Sequence, residues 1–340
     1  MKSDFVSVAA YTGGRRVPSA RYRVRQYIRA LKTHGVRLRE FVPLLGTYPI
    51  GHRVFRPLWA VCSVMDRSRT ILQSRSYDVT LLQREMLSTL VTLEPMTKAP
   101  RILDVDDAIW LRRGGRSSEK LAQLSQAVIC GNSFLAERFS TWNANVSILP
   151  TAVDTEVYLP CEQRTNRLII GWSGTSGGFR YLDEVQDALA QVLRMYSGAR
   201  LLIVSDKRPD LSRIPSHKIE FVPWTPTAEV KSIQKMTVGL MPLNDTDWER
   251  GKCSLKMLTY MACEIPVVVS KIGTNNEILN RGTFGFGATT STEWVCSISD
   301  LLSNPKHARV LGRNGRDVVN RFYSVSALTP RLAETIKSVT

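Results

Sequence analysis

The chain has 340 residues, 43% hydrophobic and 22% charged, a balance ordinary for a soluble globular protein and long enough for two domains with their own cores. No apolar run reaches the ~20 residues a membrane-spanning helix needs. The six cysteines (Cys62, Cys130, Cys161, Cys253, Cys263, Cys296) lack metal-ligand spacing and read as reduced thiols of a cytoplasmic protein. A formal net charge of +16 favours an anionic partner, whether nucleotide, nucleic acid or acidic membrane face.

In chain order, the first ten residues carry a short apolar stretch broken by polar ones. It reads as a strand over 5–11 and not as a signal peptide. A helix is expected over 19–33, after Gly13-Gly14. Arg15, Arg16, Arg21, Arg23, Arg25, Arg29 and Lys32 interleave there with Tyr22, Val24, Tyr27, Ile28 and Leu31, with Arg37 and Arg39 just beyond. This amphipathic helix either lies on acidic lipid or is solvated. Strands are expected over 36–42, 78–83, 101–105, 126–130 and 146–149, with helices over 58–74 and 133–139. Pro160 to Asn166 is a composition break. The pattern then restarts: a strand over 168–172, a helix over 181–196, and strands over 200–204, 219–222, 238–241 and 267–269. Apolar strands alternating with helices imply parallel βαβ units. The restart implies an α/β chain of two Rossmann-like, doubly wound domains facing a central cleft, residues 1–160 and 161–325.

Three segments carry candidate chemistry. From Gly251 to Ser270 the chain reads as polar loop, helix, turn and buried strand. Lys252 and Lys256 sit where the helix begins, and its unpaired N–H groups and dipole make a diphosphate seat there; otherwise the lysines are only solvated. Gly171 to Gly178 follows a strand and precedes a helix. Its glycines allow close backbone approach to a ligand or serve packing alone, and the spacing is not that of a dinucleotide fingerprint. Asp104, Asp106 and Asp107 end a strand, where they could hold Mg²⁺ or Mn²⁺, orient hydroxyls of a polar substrate, or cap the next helix. Asp154 reads as a turn cap. His34, His52, His217 and His307 are dispersed and suggest no catalytic histidine, and no Ser-His-Asp or Cys-His arrangement is visible.

With these residues in view, the chain resembles a retaining glycosyltransferase of the GT-B fold, similar to glycosyltransferase family 4. The resemblance rests on KMLTYMACEIPVVVS (256–270), GTNNEIL (273–279), ILPTAVDTEVY (148–158) and IIGWSGT (169–175), with SARYRVRQYIRAL and ILDVDDAIW nearer the start. It implies transfer of a sugar from a nucleotide-sugar donor, UDP- or GDP-linked, to a glycan or lipid-linked acceptor with retention. No metal and no further cofactor are implied. The donor would sit on the second domain and the acceptor on the first, with residues 326–340 packing back on the first. Gly174, Thr175, Lys252, Ser254, Lys256, Thr259 and Glu277 are the implied donor contacts. Arg21, Arg23 and Asp104 are the acceptor contacts, and Asp106, Asp107 and Lys256 serve the reacting centre. Glu277 is first expected to cap the helix that follows it. A cytoplasmic enzyme of polysaccharide biosynthesis is implied, peripheral on the inner membrane face.

The departures from the family pattern are specific. Its two glutamates eight positions apart fall here on Gly251 and Thr259; Thr259 offers the ribose one hydrogen bond where a carboxylate offers two. Arg180 is the nearest candidate for the usual arginine after the second domain's first strand. These departures leave room for a GT-B sugar-nucleotide epimerase, or for a non-catalytic basic binding protein with this fold. A nucleic-acid partner is not expected, since no recognised binding module is present.

Overall fold

The computed structural model describes residues 5–15, 17–47, 49, 53–161 and 167–340. Arg16, His52 and residues 162–166 of the expected linker lie outside them. The chain forms two compact units. One comprises Met1–Ala152, Gly251–Cys253 and Val325–Thr340, the other Val153–Arg250 and Ser254–Ser324. The division falls after Ala152, ahead of the expected break at Pro160. Val153 already belongs to the second unit, donating its N–H to Tyr323 O at 2.8 Å, and Tyr158 follows with a hydroxyl bond to Glu229 at 3.0 Å.

The first unit is built on β1 (Val6–Tyr11), β2 (Val36–Phe41), β3 (Val79–Gln83), β4 (Arg101–Val105), β5 (Ala127–Cys130) and β6 (Val146–Ile148). All pair in parallel in the order 2-1-3-4-5-6. β3, β4 and β5 are buried along their whole length, which is why they read as apolar runs without alternation. Val8, Leu31, Val79, Ile102 and Ile129 share one core with Leu328, Leu332 and Ile336 of the last helix, Val325–Lys337.

The helix expected over 19–33 is not one regular helix. Ala20–Val24 is a π-helical turn, Arg25–Tyr27 a 3₁₀ turn, and only Ile28–Thr33 is α-helical. The arginine-rich outer face is corrected with it. Arg23 is buried on Asp104, and Arg25 holds Glu40 at 2.8 Å. Carboxylates inside the unit therefore claim side chains that the spacing assigned to one polar stripe.

The second unit is built on β7 (Ile169–Ser173), β8 (Arg200–Ser205), β9 (Ile219–Pro223), β10 (Val238–Met241), β11 (Val267–Ser270) and β12 (Gly285–Ala288). It is again parallel, in the order 12-11-10-7-8-9. Read outward from β7, this is the 3-2-1-4-5-6 arrangement of dinucleotide-binding sheets. The sequence reading misses β12, whose Gly-Phe-Gly-Ala offers no apolar alternation. A side chain at Gly285 would meet Val267 O at 2.3 Å, so only glycine lets this edge strand pair. It also misses the helices Ser291–Ser303 and Pro305–Phe322. The first of these opens with a Thr290/Glu293 capping box that the sequence does carry. The helix expected over 181–196 breaks at Val185 into Phe179–Glu184 and Gln186–Met195.

Gly312, in the helix Pro305–Phe322, lies against the turn after the helix Leu255–Ala262. A Cβ there would stand 1.9 Å from Glu264 O, which is backbone and cannot rotate away. Gly312→Ala should lower unfolding free energy by about 1–3 kcal/mol in urea titration. Gly198→Ala, with nothing within 4 Å of the added methyl, should leave the midpoint unchanged or raise it.

Candidate active site

In a parallel sheet, strands that connect in opposite directions leave a crevice at their carboxyl ends. The first unit has that reversal between β1 and β3. Arg84 follows β3 with φ of 62°, a left-handed conformation that costs a non-glycine residue about 1–2 kcal/mol. Its guanidinium donates to Asp106 Oδ1 at 2.6 Å, to Asp107 Oδ2 at 2.6 Å and to Ser19 Oγ at 3.1 Å. Asp106 and Asp107 are thus brought together, as the sequence reading places them, but around a cation it did not identify. A guanidinium between the carboxylates opposes the metal-holding reading of this acidic run, because it takes the oxygens a divalent ion would need. The helix-cap reading also fails, since the turn Ile109–Leu111 that follows has no side-chain cap. Burial raises the Asp106 carboxyl, but Arg84 and then Arg23 outweigh it and hold the group below its ordinary value.

Arg23 and Asp104 are directed at each other. Arg23 Nε lies 3.1 Å from both Asp104 oxygens, Nη2 lies 2.5 Å from Oδ1, and Nη1 donates to Leu149 O at 2.6 Å. Both are buried, at 4% and 3% exposure. Burial pushes the Asp104 carboxyl upward against the pull of Arg23. Their expected role as acceptor contacts is therefore corrected: they form an internal brace beneath the crevice. Arg21 remains half-buried, its guanidinium 5.0 Å from the Tyr22 ring centre. Lys252 belongs to the segment that groups with the first unit, and its Nζ lies 3.7 Å from Asp107 Oδ1. That corrects its expected place beside Lys256 at a helix start.

In the second unit the order reverses between β7 and β10, and the glycine-rich loop begins where β7 ends. Gly174 is required there by close packing. A Cβ would stand 2.5 Å from Lys256 Cε and 2.8 Å from Trp172 Cη2. The Lys256 stem lies across Gly174, and its Nζ sits 5.4 Å from the centre of the buried Trp172 ring, a cation–π arrangement. Lys256 is the second residue of the helix Leu255–Ala262, within its first turn as expected. The loop amides are less available than expected. Gly174 N–H donates to Val204 O at 3.0 Å, and Ser176 N–H to Asp206 Oδ1 at 2.6 Å. The Ser176 hydroxyl donates to Asp206 Oδ2 at 2.9 Å, so Asp206 pins the loop. Thr175, before that pin, is exposed.

Two residues expected at the donor, Ser254 and Thr259, are buried with their hydroxyls bonded inside the protein. Ser254, with φ of 52°, is buried and donates its hydroxyl to Asn275 Oδ1 at 2.7 Å. Thr259 is 2% exposed and turns its hydroxyl back to Lys256 O at 2.8 Å, a bond within its own helix. Glu277, the fifth residue of the helix Gly273–Leu279, is exposed, and the helix that follows it is capped by Thr290 and Glu293 instead. The sequence reading missed Glu249, which is buried. Arg180 donates to its carboxylate at 2.8 Å, as do the hydroxyls of Tyr181 and Thr246. Burial opposes this charge, but Thr246, Tyr181 and Arg180 hold the carboxyl below its ordinary value. An acidic residue just before Gly251 was the available signal. For Arg84 there was none, because its left-handed backbone has no mark in the sequence.

Over residues 169–304 the chain matches the family described as glycosyl transferases group 1. No curated protein matches it in sequence. Its fold is shared with sucrose-phosphate synthase from Thermosynechococcus elongatus, at 13% identity, TM-score 0.74 and 98% coverage of both chains. It is shared with Anabaena HepE in complex with UDP-glucose, at 12% identity and TM-score 0.71, over 98% of this chain and 99% of that one. WaaG, a glycosyltransferase involved in lipopolysaccharide biosynthesis, gives 12% identity and TM-score 0.65, over 98% and 99%. The two-unit Rossmann-like GT-B fold is borne out, and over residues 169–304 so is the resemblance to glycosyl transferases group 1.

Arg84→Ala should leave Asp106 charged, largely buried and without its nearest cation. The expected loss is about 3 kcal/mol in urea titration near neutral pH. The folded Asp106 carboxyl titrates below its unfolded value, so its contribution is complete above pH ~4 and fades as pH falls. The gap between wild type and Arg84→Ala should therefore narrow as pH falls below about 4.

Proposed function

We infer that this GT-B glycosyltransferase moves a sugar from a UDP- or GDP-linked donor to a glycan or lipid-linked acceptor, with retention and without a metal. One observation carries the reading. At the order reversal of the second unit, Lys256 is held over Gly174 and Trp172 within the first turn of a helix. The helix dipole adds to the lysine's charge at that point, so a diphosphate is favoured there. As the bond from the sugar to the diphosphate breaks, negative charge grows on the leaving oxygen, and Lys256 and the helix start stabilise it. The acceptor hydroxyl attacks the face from which the diphosphate departs and gives its proton to the departing phosphate oxygen, so configuration is kept. Asp107, which retains exposure beside Arg84, orients the acceptor hydroxyl, and Asp106 holds Arg84 in place. HepE, a protein of the same fold, has been seen with UDP and with UDP-glucose, which supports UDP as the first donor base to test.

Lys256→Ala should weaken UDP or GDP binding by about 1–3 kcal/mol in calorimetry with the fold intact. Unchanged affinity would remove Lys256 from the donor site. Turnover should survive EDTA; loss on chelation with recovery by Mn²⁺ would reverse the metal-free reading. Asp107→Asn should depress turnover more than stability, and Asp106→Asn the reverse.

A further inference from the structure

The helix Arg56–Ile71 is amphipathic in the inverse sense. The side chains it buries include Ser63 and Arg67 beside Ile71, and Arg67 donates to Phe41 O and Thr12 O. Its outer face carries Leu58, Val61 and Met65, each more than half exposed, flanked by Val54 and Phe55 before it and Leu72 after it. At 100° per residue, 58, 61 and 65 fall within one narrow stripe, and Val54 and Leu72 belong to the 3₁₀ turns Arg53–Phe55 and Leu72–Ser76 on either side. Eight of the 17 exposed large hydrophobic side chains among the described residues lie between Leu44 and Leu72. Single exposed apolar residues need no explanation, but a contiguous stripe does.

A second feature extends the stripe. Leu44, 82% exposed, is held outward because its N–H is bonded to Asp66 Oδ2 at 2.8 Å, and Trp59 Nε1 donates to Leu45 O at 3.4 Å. The turn at 44–45 is thus tied to the helix with its leucine facing solvent. Asp66 is the only acidic residue between 53 and 76, and it is engaged there. Arg69 is exposed beside the stripe, and Arg75 is exposed in the turn Leu72–Ser76 that follows it.

We propose that this face, Leu44 with the outer side of residues 54–72, docks in the plane of an anionic lipid bilayer. An apolar stripe rimmed by arginines matches the acyl boundary and the acidic headgroups together. A second copy matches only the apolar part, because a two-fold contact would set the same arginines against each other in a chain of net charge +16. In the basic stretch before Thr33, Arg23 and Arg25 are already engaged by carboxylates within the unit, so the proposal rests on the helix Arg56–Ile71 instead. The proposal is independent of the donor reading, and either can fail alone.

The test is sedimentation of the full chain with vesicles of phosphatidylglycerol and phosphatidylcholine, against phosphatidylcholine alone. Binding should require the acidic lipid and fall as salt is raised. Leu58→Glu with Met65→Glu should lower partitioning at least tenfold with Tm unchanged, because both side chains are exposed. Leu44→Asp, outside the helix, gives the same readout if the double variant is unstable. Arg69→Gln with Arg75→Gln should weaken binding and flatten its salt dependence, while Arg29→Gln with Lys32→Gln leaves it as wild type. No binding to acidic vesicles at low salt overturns the proposal, and so does wild-type binding by a folded Leu58/Met65 or Leu44 variant. A dimer in sedimentation equilibrium that Leu58→Glu with Met65→Glu converts to monomer also overturns it, assigning the face to a protein contact.

Discussion

Parallel pairing sends every strand of each sheet to the same edge, and the reversal of strand order decides where along that edge a ligand can enter. Between β1 and β3, and again between β7 and β10, the chain leaves the sheet in opposite directions. No helix has to cross the strand ends at such a point. The residues that follow β3 and β7 take up this space. After β3 it is Arg84, turned by its left-handed backbone across Asp106 and Asp107. After β7 it is Gly174, whose missing side chain admits the stem of Lys256.

Charge in this protein divides by geometry more than by count. A net charge of +16 suggests a diffuse attraction for anions. The structure instead pairs several arginines with carboxylates. Arg23 braces Asp104, Arg25 holds Glu40, Arg84 joins two aspartates, and Arg180 reaches Glu249. The pairs on Asp104, Asp106 and Asp107 gather at the carboxyl end of β4, where loss of a cation would leave buried carboxylates unmatched. Lys256 differs, resting its stem on Trp172 and Gly174.

Much of the fold was legible in the sequence. Runs such as Val79–Gln83, Arg101–Val105 and Val267–Ser270 are covered on both faces, so their centres are apolar without alternation, and polar residues such as Gln83, Asp104 and Ser270 come near their carboxyl ends. Their alternation with helices implies parallel sheets and two Rossmann-like units. β12 was not legible, because an edge strand of small residues pairs through backbone alone. The region over 19–33 was misread, because helical spacing cannot report which arginines find buried carboxylates.

Within the site, local spacing sufficed to put Lys256 in the first turn of its helix and to mark Asp104, Asp106 and Asp107 at the end of β4. What those groups face was decided by the tertiary structure. Arg23 is 81 residues from Asp104, and Arg84 is 22 from Asp106. Ser254 and Thr259, polar by type, turn their hydroxyls to Asn275 and to the backbone. The apolar outer face of the helix Arg56–Ile71 has the same origin: its spacing shows an amphipathic helix, but only packing shows that the polar side, around Arg67, is the one buried. A sequence carries the period of a pattern because that depends on neighbouring residues alone. Which face turns inward, and which charges meet, depends on partners far along the chain, and only the folded structure brings them together.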